Sequence, residues 1–115
     1  MKEIKAYVRE RQAGAVVEAL VRAGFPGFSV LTVRGVADGL VSEAYEYSVE
    51  LGEAYERVVK IELICGDAKV AVAVDVIHRA AHTGQRGDGM VFVAPIESAL
   101  RIADGTTGAQ ALERS

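Results

Sequence analysis

The residues from His82 to Pro95, HTGQRGDGMVFVAP, carry three glycines and an aspartate within six consecutive positions. Glycine adopts positive φ without strain and leaves the neighbouring backbone N–H groups uncovered. A run of such N–H groups forms a nest that binds anionic oxygens. The stretch is not a Walker loop, because it has no Gly-Lys-Ser/Thr, and not a dinucleotide fingerprint, because its glycines follow a predicted helix. From spacing alone, a tight helix-to-strand turn and an anion nest both stay open.

Two other groups of residues offer weaker chemistry. His78 and His82 lie four positions apart on a predicted helix, a spacing that seats one metal ion, but no third ligand is adjacent. We therefore interpret them as exposed histidines on the helix surface and predict no metal site. Cys65 ends an apolar strand and is predicted to be a small buried hydrophobic residue. Because the sequence shows no Ser-His-Asp or Cys-His arrangement, nothing in it supports an enzyme.

Composition narrows the class of protein. The chain has 115 residues, half of them hydrophobic, and a net charge of −3, which predicts one domain with a single core and no nucleic-acid footprint. No apolar run approaches the roughly 20 residues that span a bilayer. The N-terminus MKEIKAYVRE alternates charged and apolar residues, so it is not a signal peptide. With one cysteine and no internal disulfide, the sequence predicts a cytoplasmic protein.

Alternating apolar residues mark four strands. The predicted strands are 3–9, 29–34, 57–65 and 90–94. In the first, Ile4, Ala6 and Val8 share the face that is expected to be buried. The residues on its opposite face are Lys5, Tyr7 and Arg9.

Two segments switch to helical spacing. The first helix lies within 12–24 and ends at Gly24 as its C′ residue. Its apolar stripe consists of Val16, Val17, Leu20 and Val21. The second helix has Asp67 as its predicted N-cap and closes at Gly84. After the last strand, Pro95 is expected to break the chain before a short helical turn and a polar surface tail.

The order strand, helix, strand, strand, helix, strand predicts an α+β, ferredoxin-like βαββαβ fold with an antiparallel sheet and both helices on one face. The segment 35–56 is too long for a hairpin loop, and its YEYSVEL stretch can extend as a β-ribbon or become ordered on a partner. The segment is also acidic, which suits a basic partner, a hard cation or simple solvation. Its glutamates are Glu43, Glu46, Glu50, Glu53 and Glu56.

The stretch TGQRGDGMVFVAPIESALRIADGTTG resembles the C-terminal signature of the PII nitrogen-regulatory proteins, Thr-Gly-x-x-Gly-Asp-Gly-x-(Ile/Val)-Phe-Val followed by Arg-Ile-Arg-Thr-Gly. The first strand and VKIEL fit the same family, so the resemblance covers residues 1–108. It implies a single PII-like domain over 1–115, assembled as a homotrimer, that acts as a signalling switch and not as an enzyme. The segment 35–56 corresponds to the family's T-loop, which contacts a target such as a membrane transporter or metabolic enzyme. The C-terminal tail is 103–115.

The resemblance also implies the site residues. The glycine-rich stretch corresponds to the family's B-loop, which closes over the phosphates of an adenine nucleotide (ADP, AMP or ATP) in a cleft between subunits. Ser29 and Ile64 are implied near the base and ribose, with Gly35 and Glu62 at the cleft floor. The remaining implied nucleotide contacts are Arg86, Gly87, Asp88, Gly89, Met90 and, from a neighbouring subunit, Arg101. The implied partner-binding residues are Asp38, Tyr45, Tyr47 and Glu50.

Several family positions are occupied by other residue types. Asp38 and Gly39 stand where the family has arginine and glutamine, and Val58 replaces a lysine. Because the glutamine and lysine serve 2-oxoglutarate in the family, the resemblance implies that this chain does not sense it. Leu51 stands at the position of the uridylylated tyrosine, so we expect no such modification.

Three cationic contacts to phosphate are missing, at Asp38, Met90 and Ala103. Each charge-assisted contact contributes roughly 1.5–3 kcal/mol, so their loss is expected to weaken triphosphate most and to let AMP or ADP bind at least as well as ATP. Arg34 and Arg86 are retained cations that can compensate in part.

A second class stays open: a trimeric ferredoxin-like metal- or small-ion-binding protein that resembles the divalent-cation tolerance proteins. Those proteins lack the Thr-Gly-x-x-Gly-Asp-Gly stretch, which favours the PII interpretation. The sequence does not select among ammonium, bicarbonate and metal transport as the regulated pathway.

Overall fold

A computed structural model of the chain describes residues 1–36, 45–48 and 53–113, with the side chains of 36, 45–48 and 53–56 left aside. The strands are β1 (Lys2–Arg9), β2 (Ser29–Val36), β3 (Tyr45–Ser48), β4 (Glu53–Cys65) and β5 (Gly89–Pro95). The helices are α1 (Glu10–Arg22) and α2 (Val70–Ala81), with short 3₁₀ helices at Asp67–Lys69 and Gly108–Leu112.

The strands form one antiparallel sheet in the order β2-β4-β1-β5, and β3 pairs with β4. This is the predicted ferredoxin-like arrangement, which is confirmed. The predicted β-ribbon is present where Tyr45–Ser48 pairs with β4. Because of this pairing, β4 begins at Glu53, four residues before the predicted strand.

One core lies between the sheet and both helices. The alternation in β1 is confirmed, since Ile4, Ala6 and Val8 are fully buried in it. On the same face of the sheet, β4 contributes Val59, Ile61 and Leu63, which pair with the three buried residues of β1. The helices form the other side of the core with Val16, Leu20, Ala73 and Ile77. Arg9, expected on the open face, is instead 4% exposed.

The end of α1 follows the predicted glycine stop. Gly24 has φ +93°, and its N–H donates to the carbonyl of Val21 at 3.0 Å, while that of Phe25 donates to Leu20 at 3.1 Å. These two bonds form a Schellman motif, and the buried Phe25 packs into the core beyond it. The predicted apolar stripe of α1 was wrong at Val21, which is 61% exposed. The buried residues of α1 are Val16 and Leu20, so the core contacts the helix face that carries them and Val21 points away from it.

The predicted boundaries of α2 need two corrections. Asp67 is not its N-cap: it opens the 3₁₀ turn, and its carboxylate accepts a hydrogen bond from the amino terminus of Met1 at 2.8 Å. The helix also ends at Ala81, with His82 extended as its C-cap, so Gly84 lies beyond the helix and does not close it.

The chain after β5 differs from the predicted helical turn. Residues 96–99 have no regular structure, and the backbone reverses so that the N–H of Arg101 donates to Thr106 at 2.8 Å. A bridge between Leu100 and Thr107 follows, and the tail ends in the 3₁₀ helix Gly108–Leu112. No helix in the described ranges is long and apolar enough to cross a membrane.

Candidate functional site

The glycine corner, residues 83–89, joins α2 to β5. Gly84, Gly87 and Gly89 have φ values of +83°, +91° and +117°. All three therefore occupy the region that side chains disfavour, which explains the glycine-rich composition of this segment.

Gly89 is also required by a close backbone approach. A Cβ atom built on it would lie 1.8 Å from the carbonyl oxygen of Tyr7. Gly89 is the first residue of β5 and pairs with Val8 on β1. The corner therefore packs directly against the end of β1, an inner strand of the sheet.

The Asp88 carboxylate points into the corner and fastens it. It accepts hydrogen bonds from the backbone N–H of Thr83 at 2.7 Å and of Gly84 at 3.1 Å, and from the Thr83 hydroxyl. Burial raises the pKa of this carboxyl, but the hydrogen bonds from Thr83, Arg9 and Gly84 together outweigh that effect and hold the pKa well below its usual range. Asp88 therefore ties the end of α2 to the start of β5 as an ionised group.

Arg9 is the corner's buried partner, and sequence reasoning missed it. Its Nε donates to Asp88 Oδ1 at 3.1 Å, and its Nη2 donates to the carbonyl of Arg86 at 2.7 Å. Asp88 lies 79 positions away in sequence, so no local spacing marks the pair. The only available signal was an arginine at the point where β1 turns into α1.

A second candidate region lies at the C-terminal end of β4, away from the glycine corner. Ser29 pairs with Glu62 across β2 and β4, and Ile64 pairs with Glu3. These residues line an open cleft whose opposite wall is the C-terminal tail, and we call it the tail-walled cleft. Its lining includes Phe28, Ser29, Glu62, Ile64, Ala109 and Leu112. Lys60 Nζ contacts the Glu62 carboxylate at 2.9 Å, and this hydrogen bond lowers the pKa of Glu62.

Arg101 holds the tail beside this cleft. Its guanidinium donates to the carbonyls of Gln110, at 2.9 Å, and of Glu113, and to Asp104 Oδ2 at 2.8 Å. Hydrogen bonds from Thr106 and then from Arg101 lower the pKa of Asp104 to about 2. Within one chain, Arg101 therefore belongs with the tail-walled cleft and not with the glycine corner.

The two regions lie at opposite edges of the sheet. Ser29 is on the outer strand β2, whereas Gly89 opens the outer strand β5. Three strand spacings separate these edges, roughly 14 Å. Within one chain, the Ser29 side of the cleft and the glycine corner are therefore separate regions.

The other predicted positions fall between or outside these regions. Gly35 is buried on β2 opposite Glu56, and Val58, at the missing lysine, is fully buried. Met90 follows the corner on β5 and is 46% exposed. The predictions at Asp38, Gly39, Glu50 and Leu51 lie outside the described residues. Tyr45 and Tyr47 are placed on the backbone of β3 only.

The predicted exposure of the two histidines and the predicted burial of the cysteine are confirmed. His78 and His82 are exposed, with ring centroids 5.3 Å apart, and His82 Nδ1 lies 3.7 Å from Asp88 Oδ2. Across the part of the chain that the structure describes, no three His, Cys, Asp or Glu residues group as metal ligands. Cys65 is buried, and burial raises the pKa of its thiol.

Comparison with known proteins gives a consistent family. A family model described as "Nitrogen regulatory protein P-II" matches residues 1–106. The chain is 37% identical to the nitrogen regulatory protein P-II of Bradyrhizobium diazoefficiens and 36% identical to those of Nostoc punctiforme and Mesorhizobium japonicum. In each case the match covers 97% of this chain and 100% of the relative.

Proposed function

The chain belongs to the nitrogen regulatory protein P-II family, and on that premise we propose that it is a cytoplasmic, non-enzymatic signalling protein that binds an adenine nucleotide between two subunits. The nucleotide state would then control how the long loop, residues 35–56, engages a membrane transporter or a metabolic enzyme. The observation that carries the proposal is the glycine corner, in which three positive-φ glycines are held by an ion pair between the buried Arg9 and the half-buried Asp88.

The corner has the chemistry of a phosphate site. Backbone N–H groups in a left-handed or turn conformation bind anionic oxygens whatever the side chains are. Gly87→Val or Gly89→Val would place bulk on backbone at φ +91° or +117°, and we expect either change to abolish nucleotide binding.

A second subunit completes the site in this proposal. The tail-walled cleft carries Ser29 on the outer strand β2 and Glu62 and Ile64 on the adjacent strand β4, whereas the corner begins the outer strand β5 on the other side of the sheet. A neighbour that sets its cleft against this corner would enclose one nucleotide, and repetition around a closed ring gives a homotrimer. Exposed apolar side chains on both outer strands support burial at such an interface. They are Val30, Leu31, Met90, Phe92 and Val93.

The preferred nucleotide follows from the replaced cations. Met90 places an uncharged, half-exposed side chain directly after the corner, and Val58 lies buried where the family resemblance implied a lysine. We therefore expect ADP or AMP to bind at least as tightly as ATP, and 2-oxoglutarate not to be an effector.

Isothermal calorimetry with AMP, ADP, ATP and a panel of divalent metals tests the proposal, with light scattering for the assembly. The expected result is saturable binding of ADP or AMP by a particle of trimer mass. If no adenine nucleotide binds at millimolar concentration, the corner is only a helix-to-strand turn and the proposed function fails. Metal binding without nucleotide binding would favour the metal- or small-ion-binding class, and a monomer at micromolar concentration would contradict the shared site.

A further inference from the structure

We propose that Arg9 is a positioning residue for the nucleotide's phosphates, because its buried guanidinium holds the glycine corner from both sides of Gly87. This inference rests on the proposed function of the corner. Arg9 itself does not contact the ligand in this account; it acts through Arg86 and Asp88.

Two of the contacts that Arg9 makes bracket the central glycine. Nη2 binds the carbonyl of Arg86, the residue before Gly87, and Nε binds the carboxylate of Asp88, the residue after it. The planar fork of a guanidinium fixes both distances at once. The peptide groups of Gly87 are therefore held in one orientation before any ligand arrives.

The support behind Arg9 is rigid. Arg9 is the last residue of β1, which pairs with β4 along its length and with β5 up to Val8. Its side chain is 4% exposed. Because buried side chains in a packed sheet have little freedom to move, the sheet itself sets the position of the corner.

Arg9 also neutralises the negative charge of Asp88 in the corner. Asp88 places a carboxylate within the segment that is proposed to receive phosphate oxygens, and two like charges at close range repel. The Arg9 guanidinium, 3.1 Å away, balances that carboxylate. The corner can then use Asp88 as an internal fastener without opposing an anionic ligand.

The competing interpretation is a brace that stabilises the fold and has no bearing on the ligand. Removing one partner of a buried ion pair destabilises a protein in either case. A stability measurement does not separate the positioning role from the brace interpretation, so the experiment must measure the corner itself when the nucleotide is bound.

The test compares Arg9→Gln, Arg9→Lys and Asp88→Asn with a control, Arg22→Gln, which removes an exposed ion pair with Glu18 on α1. Calorimetry measures ADP affinity, and amide hydrogen exchange measures protection with and without saturating ADP. For Arg9→Gln we expect at least about a tenfold loss of affinity, since a charge-assisted contact is involved. At saturating ADP, protection should disappear at residues 87–89 and persist at Ile64. Lysine should lose less, because one ammonium replaces one of the two contacts. The control should match the wild type.

The outcomes decide whether Arg9 positions the corner for the nucleotide. If folded Arg9→Gln binds ADP as the wild type does, or loses protection equally at the corner and at Ile64, Arg9 is only a brace and the inference is overturned. If the wild type binds AMP or ATP but no ADP, the same comparison is made with the nucleotide that binds. If the wild type binds no adenine nucleotide, the proposed function fails and this inference fails with it. If Arg9→Gln does not fold, Arg9→Lys and Asp88→Asn carry the same comparison, and unchanged corner protection in both would overturn the inference.

Discussion

The glycine corner and the tail-walled cleft achieve their shapes in different ways. In the corner, positive-φ glycines fix the backbone path, and a buried arginine and a half-buried aspartate fasten it to the sheet. In the cleft, one wall is sheet and the other is a C-terminal segment that Arg101 holds through backbone carbonyls. The first region is held by the packed sheet, whereas the second depends on a short terminal segment that hydrogen bonds from one side chain keep in place.

Gly89→Ala should give the largest effect, because this substitution lies where the corner contacts β1. The added Cβ would lie 1.8 Å from the Tyr7 carbonyl at φ +117°, so we expect a loss of more than about 3 kcal/mol in the free energy of unfolding, together with loss of ADP binding.

The matched control is Gly84→Ala, where φ is +83° but the nearest atom lies 3.8 Å away. Strain alone predicts about 1–2 kcal/mol there. Denaturant unfolding measures both variants, and equal losses would show that the close approach to Tyr7 contributes nothing.

Arg101→Ala should act on the cleft and spare the corner. We expect amide exchange to become faster over 108–113 and to stay unchanged over 87–89 in the nucleotide-free protein. The affinity for ADP should fall about tenfold, and that for AMP less, because a cation is lost from the side of the diphosphate. Faster exchange at the corner, or equal losses for the two nucleotides, would contradict the separation of the two regions.

Acid should weaken both regions in the same direction. Asp88 in the corner and Asp104 beside the tail both have lowered pKa values, about 2 for Asp104. A lowered folded-state pKa contributes stability above the unfolded value of about 3.9, and that stability is lost as the pH falls through the folded pKa.

The contribution of these two groups to stability should therefore be full and constant above about pH 4 and should decline as the pH falls towards about 2, with the loss at Asp88 extending to lower pH. Carboxyl titration by NMR measures each group separately, and Asp88→Asn serves as the control for the corner. An Asp88 carboxyl that titrates near 3.9 would show that its hydrogen bonds do not persist in solution.

The smallest expected effect is that of 2-oxoglutarate, which should produce no binding heat with or without ATP and magnesium. Val58 is buried and apolar at the position where the resemblance implies a lysine contact. Saturable, nucleotide-dependent binding of 2-oxoglutarate would show that other residues have taken over that role.

Local patterns in the sequence predicted most of the fold. Alternation in β1 predicts its burial directly, since Ile4, Ala6 and Val8 are buried. Gly24 marks the end of α1 because its positive φ and its bond to Val21 are local features. Asp67 was misassigned because the amino terminus competes for its carboxylate. The course of the tail depends on Arg101 binding carbonyls nine to twelve residues later, and the role of Arg9 depends on a partner in another element. Such long-range pairings leave no periodic signal in the sequence.

The most direct test of the shared site is an ADP titration followed by amide NMR on the assembled protein. If one site is shared, the amide signals of Gly87, Asp88 and Gly89 should shift together with those of Ser29, Glu62 and Ile64, along one binding curve with one dissociation constant. Shifts confined to one of the two regions, or two curves with different constants, would contradict a single nucleotide site built from the corner of one subunit and the cleft of the next.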